Sequence, residues 1–214
     1  MKQLMIDRTE AFVKKQLVND SSGHDWYHIY RVKQLAENIA EQEKADRFIC
    51  IMAALLHDLA DEKIAGSEEK GLADVKQWLQ SIHVDNEDLI NILSIISTMS
   101  FKGGNQSPMT TIEGQVVQDA DRLDAVGAIG IGRTFAYSGA KGQLMYDPEI
   151  PVRETMSKDE YRNQKSTAVN HFYEKLLKLK DYMNTSYAKQ LAEERHNFLK
   201  QFLDQFFSEW EGKK

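Results

Sequence analysis

Nine consecutive residues, Phe48-Ile49-Cys50-Ile51-Met52-Ala53-Ala54-Leu55-Leu56, carry no charged or strongly polar side chain. A helix that is apolar on every side cannot lie on a surface, so the rest of the chain must wrap around it. Asp46 stands where an N-cap would start that helix. The run stops at His57-Asp58, and Asp61, Glu62 and Lys63 return the charge at once.

The surrounding sequence has helical periodicity throughout. A short opener is expected from about Arg8 to Leu17, and Asn19 to Gly23 is turn chemistry. From His24 the apolar face runs through His28, Val32, Leu35 and Ile39, with Ala36 and Ala40 filling in. Stripes at Leu72, Val75, Trp78 and Leu79 and at Leu89, Ile92, Leu93, Ile95 and Ile96 predict two more helices. Phe101 to Pro108 reads as a loop, and Thr111 to Ala125 as a helix burying Val116, Val117, Ala120 and Leu123. Gly127, Gly130 and Gly132 read as close-packing glycines. Gly139 to Met156 is long for a structureless connection, which suggests a lid or binding loop. Two closing helices are expected, about Lys158 to Lys180 and Ser186 to Trp210. No strand alternation and no repeat is found, so the predicted class is an all-α single domain over residues 1–214.

Composition narrows the function. The 214 residues hold 27 Lys and Arg against 33 Asp and Glu, a net charge of −6 that argues against a dedicated nucleic-acid binder but leaves room for a local anion pocket. No apolar run reaches the roughly 18 residues needed to span a bilayer. The first residues have no secretory pattern, and the single cysteine, Cys50, forms no internal disulfide, so a reducing cytoplasmic setting is expected. The aromatic last helix offers a surface for a homodimer.

The histidines and carboxylates carry the chemistry. His57-Asp58 closes the most apolar helix, where an ionised carboxylate is costly unless paired or metal-bound. His28 lies on the inward face of a neighbouring helix, in line with Val32 and Leu35. In Asp119-Ala120-Asp121-Arg122-Leu123 either aspartate can face the core, and Asp124 follows Asp121 by one turn. Two imidazoles and two carboxylates from three helices make an N/O cage with open positions, suited to Mn²⁺, Mg²⁺, Fe²⁺, Co²⁺ or Ni²⁺ rather than to a closed structural zinc.

Taken in order, His28 with Arg31-Val32, then Leu55-Leu56-His57-Asp58, then Ala120-Asp121-Arg122-Leu123 resembles the H…HD…D signature of the HD-domain metal-dependent phosphohydrolases. Gly23 to His28 and Gln118 to Gly130 are similar to a bacterial stand-alone branch of nucleotide pyrophosphohydrolases. The core resemblance spans about residues 20–135, with a helical extension at about 157–210. It implies an HD-type helical bundle, one divalent ion (Mn²⁺ first) and the ligands His28, His57, Asp58 and Asp121. It further implies hydrolysis of a nucleoside triphosphate or its deoxy form to the monophosphate and pyrophosphate. A phosphomonoesterase, a cyclic-nucleotide phosphodiesterase and a non-catalytic metal or nucleotide sensor are the alternatives on the same scaffold. Asp61, with Glu62, is expected to orient or deprotonate the attacking water, on the same helix as Asp58. HD enzymes that hydrolyse guanosine tetraphosphate carry an acidic pair at these two positions in the reverse order. His24, Arg31, Lys63, Lys102, Arg122 and Arg133 are the candidate cations for the substrate phosphates.

Overall fold

The computed structural model describes residues 1–17, 25–99, 109–153 and 166–213, with Glu62 and Lys63 as backbone only. The fold is all-α, and no strand occurs among the described residues. The chain forms two compact units, Met1–Asp121 and Arg122–Lys214, each treated by itself below.

The first unit contains α1 (Lys2–Gln16), α2 (Trp26–Glu43), α3 (Arg47–Leu56), a 3-10 turn (His57–Ala60), α4 (Glu62–Ala65), α5 (Glu68–Ser81) and α6 (Asn86–Met99). It also holds most of α7 (Ile112–Asp124). As its composition requires, α3 is central, packed against α1, α2 and α6. Every residue from Phe48 to Leu56 is buried, including Cys50. Burying such aliphatic side chains stabilises the unit by about 1.5–3 kcal/mol each. The Asp46 carboxylate caps α3, accepting the Phe48 amide at 2.8 Å and the Ile49 amide at 3.1 Å. Helix α1 starts six residues before the expected Arg8, because Ile6 joins Val13 on its buried face.

In the second unit α8 (Gly127–Ala140) packs on α9 (Ala168–Glu174) and on the long α10 (Ser186–Trp210), whose N-cap Thr185 accepts the Ala188 amide. Rings of Phe135, Phe172, Phe202 and Phe206 interlock at centroid distances of 5.7–6.5 Å. Two expectations need correction here. The described part of the anticipated helix at 158–180 is α9 alone, followed by a 3-10 segment (Leu176–Tyr182). A three-residue period stacks Leu176 over Leu179, and both are buried, so core contact favours the tighter winding. The glycines of α8 do not share one packing role. Gly127 adopts φ +73°, a Cβ on Gly130 would lie 2.2 Å from the Ala125 carbonyl oxygen, and Gly132 faces open space. The anticipated loop after Gly139 begins at Lys141, and its described part is strapped to α9. Leu144 and Met145 carbonyls accept the Ala168 and Val169 amides, and Asn170 Nδ2 donates to the Ile150 carbonyl at 2.9 Å. The expected turn at Asn19–Gly23 and loop at Phe101–Pro108 lie outside the described residues.

Candidate metal centre

Helix α2 presents His28 from its first turn. Asp25 caps that helix, and its carboxylate accepts the His28 backbone amide at 2.8 Å, so the cap fixes the residue that carries the imidazole. At the far end of α3 the backbone tightens from α-helix into the His57–Ala60 turn. This change of winding carries His57 and Asp58 out of the apolar helix while keeping both buried. Helix α5 sits directly on the turn: a Cβ added to Gly71 would lie 2.6 Å from Ala60 Cα, a contact only glycine tolerates. Asp121 comes from the last turn of α7.

These side chains converge. His28 Nε2 is 3.5 Å from Asp58 Oδ2 and 3.4 Å from Asp121 Oδ1. His57 Nε2 is 3.2 Å from Asp58 Oδ1 and 4.0 Å from Asp121 Oδ1. The two imidazoles meet edge to face, with centroids 5.5 Å apart. One donor atom from each of His28, His57 and Asp58 lies within 4.8 Å of the others. Of the two candidate aspartates, Asp121 stands beside both imidazoles. Asp119 is fully buried two residues earlier, and residues two apart project from opposite sides of a helix. Asp124 pairs instead with Arg133 at 2.6 Å.

His57 Nδ1 lies 2.8 Å from the Ala54 carbonyl, which can only accept. That bond places a proton on Nδ1 and turns the buried Nε2 toward the carboxylates, 3.2 Å from Asp58 Oδ1. Burial works hardest against charging this imidazole, yet the carboxylates of Asp58 and Asp121 and the Ala54 carbonyl together outweigh it, lifting its pKa to about 9. The cluster therefore has a strong demand for positive charge at its centre. A divalent cation would meet that demand by taking the place of the proton on Nε2. Neighbouring donors on one ion stand roughly 3 Å apart at bonds of about 2.1 Å, close to the spacing found here. The residues fit a metal: His28, His57 and Asp58 bring their donors together, and Asp121 Oδ1 lies 3.4 Å from His28 Nε2.

The other predicted residues are placed as follows. Asp61 is not on the helix of Asp58. It ends the 3-10 turn with extended backbone (ψ 137°), because its amide closes on the Asp58 carbonyl while its own carbonyl starts α4 by accepting the Ile64 and Ala65 amides. It is half-buried beside the turn. Glu62 and Lys63 follow on α4, and their side chains lie outside the described set, as do His24 and Lys102. Arg31 is half-buried one turn beyond His28. Arg122 donates to the Tyr182 carbonyl, and Arg133 donates to both the carboxylate and the carbonyl of Asp124. The reading of the sequence missed the Gly71 seat and Arg195. A guanidinium 72 positions beyond its Leu123 acceptor leaves no local signal in the sequence.

Residues 25–126 match the HD domain. The chain is 43% identical over 208 residues to the uncharacterized protein YpgQ of Bacillus subtilis (strain 168), covering 96% of this chain and 94% of that one. It superposes on the crystal structure of an HD-superfamily hydrolase from Bacillus thuringiensis with a TM-score of 0.81 and 53% identity, covering 99% of this chain and 100% of the other. It also matches the crystal structure of B. subtilis YpgQ in complex with ADP, with a TM-score of 0.77, 40% identity and coverage of 98% and 100%. The chain belongs to the HD-domain family. Its paired imidazoles and carboxylates are the equipment of a metal-dependent hydrolase. No helix among the described residues is long and apolar enough to cross a membrane.

Proposed function

We propose that the protein is a nucleotide pyrophosphohydrolase that converts a nucleoside triphosphate, or its deoxy form, to the monophosphate and pyrophosphate. The observation that carries this reading is the cluster of buried His28, His57 and Asp58 with the half-exposed Asp121 beside them, His57 Nε2 facing both carboxylates. A divalent ion held by His28, His57, Asp58 and Asp121, with Mn²⁺ the preferred choice, supplies polarisation of a phosphoryl oxygen and acidification of water. The protein's own residues do the rest. The Ala54 carbonyl holds His57 in the tautomer that ligates. Asp61, projecting from the junction behind Asp58, orients the attacking water and takes its proton, with Glu62 beside it. Attack at the α-phosphorus breaks the α–β anhydride bond, and pyrophosphate departs. Arg31, His24, Lys63 and Lys102 are the cations assigned to the polyphosphate. That the B. subtilis relative was crystallised with ADP supports a nucleotide as the substrate.

The test is a panel of ribo- and deoxyribonucleotides incubated with Mn²⁺ or Mg²⁺, with products resolved by chromatography. Monophosphate and pyrophosphate are expected. Orthophosphate from monophosphates, or opening of cyclic nucleotides, would replace this reading by the monoesterase or diesterase one. Metal and nucleotide binding without turnover would make the protein a sensor.

A further inference from the structure

The C-terminal end of α7 poses an electrostatic difficulty. Asp121 sits in the last turn of that helix, where aligned peptide dipoles place a partial negative charge that disfavours a carboxylate. The final carbonyls also lack partners within the helix. Three of them, on Arg122, Leu123 and Asp124, receive donors from beyond the helix. The Ala125 and Val126 amides close on the Arg122 and Leu123 carbonyls at 3.1 and 3.3 Å. Arg195, from α10, donates to the Leu123 carbonyl. Arg133, from α8, donates to the Asp124 carbonyl at 3.3 Å and to its carboxylate at 2.6 Å. The Asp124 side chain is only 2% exposed, while Arg133 keeps about a third of its side chain in solvent. Gly127, at φ +73°, brings the chain against the Arg195 stem, 3.0 Å from where a Cβ would stand. Every one of these contacts lies within Arg122–Lys214, and they reach Asp121 through the helix itself.

We propose that Arg133 and Arg195 are positioning residues for the metal centre: seated on the last carbonyls of α7 and on Asp124, they hold the turn that presents Asp121 and offset the negative helix end on which that anionic ligand rides. This assigns Arg133 to the helix terminus rather than to substrate phosphate. The inference rests on Asp121 being a metal ligand.

The experiment measures Mn²⁺ affinity of the metal-stripped full-length protein by isothermal titration calorimetry, with thermal melting of each variant alongside. Residues behind a ligand typically change metal affinity by about 10–100-fold, so Arg133→Gln and Arg195→Gln should each raise the Mn²⁺ Kd by about tenfold. Arg133→Lys should recover most of the loss, since an ammonium still charges Asp124. Arg153→Gln breaks another buried pair in the same unit, at Glu174, and should lower Tm while leaving the Kd within about twofold of the parent. Asp121→Asn sets the scale for losing the ligand. Affinities of Arg133→Gln and Arg195→Gln equal to the parent, with Asp121→Asn weakened, would overturn the inference and leave the metal reading standing. Equal weakening by Arg153→Gln would overturn it as well, by reducing the effect to general destabilisation. A parent protein that takes up no Mn²⁺, or an Asp121→Asn variant that binds as tightly as the parent, would remove the metal reading and this inference with it. Should Arg133→Gln fail to fold, Arg195→Gln carries the same comparison.

Discussion

Two buried charged clusters in this protein are built on opposite logic. At Glu174 every demand is met by protein groups. The carboxylate, whose side chain is 1% exposed, accepts from Arg153 Nε at 2.8 Å, from Arg153 Nη2 at 2.7 Å, from the Arg153 amide and from Ser166. At His57 the arrangement is open. Two carboxylates crowd two imidazoles at 3.2–4.0 Å, against the 2.7–2.8 Å of the Arg153 guanidinium at Glu174. A closed cluster clamps structure, and fork-to-fork geometry suits that task. An open one keeps capacity for something that arrives later. Burial alone would not have told them apart; the lengths of their contacts do.

The sharpest break in this comparison comes from His57→Ala, which should abolish Mn²⁺ retention and turnover while circular dichroism shows helicity nearly unchanged. Full turnover in that variant would mean the open cluster is not the active centre. Next in size, Asp61→Asn should lower kcat by about 10²-fold while the Mn²⁺ affinity seen by calorimetry stays put, as expected for a general base. Parallel loss of both would demote Asp61 to a support of the turn.

Glu174→Ala should do the reverse. Stripping one member of a buried ion pair costs about 3 kcal/mol in denaturant unfolding and should leave metal affinity alone. This effect has a defined pH dependence. Burial pushes the Glu174 carboxyl up, but the bonds from Arg153 and Ser166 prevail and hold its pKa below the ordinary glutamate value. Stability from a depressed carboxylate is fully present above the unfolded value, about 4.3, and disappears as the pH falls through the lower folded one. The gap between parent and variant should therefore close in acid. A gap that widened there would reverse the sign of the assignment. Smallest is Gly71→Ala, expected to cost about 1–3 kcal/mol through overpacking against Ala60. Because the displaced backbone belongs to the His57–Ala60 turn, a weaker metal site should accompany that loss.

Features set by local chemistry were legible in the sequence. Asp46 and the apolar run behind it define α3, and the spacing from Ser186 onward defines α10 to its last residue. The order of His28, His57-Asp58 and the aspartates near 121 brought the cluster into view, because His28 falls on an inward helix face and His57-Asp58 closes the most apolar run. Periodicity left Asp119 and Asp121 equivalent, since both lie on one apolar-flanked helix, and the family resemblance singled out Asp121. Asp61 was misplaced because periodicity cannot see an α-helix tighten into a 3-10 turn and then stop. The break after Glu174 escaped for a similar reason: Leu176 and Leu179, three residues apart, fit an α-helix and a 3-10 turn equally well. Arg195 was invisible because its acceptor is chosen by tertiary packing alone.

Cys50 also has a practical consequence. Burial, and then the charges of Glu113 and Asp46, push its thiol far above the ordinary range, so almost no thiolate exists to meet an electrophile. Peroxide or a maleimide should pass the native chain by. A cysteine introduced on the exposed face of any helix would then be the sole reactive handle, ready for spin labels or dyes with no background to subtract.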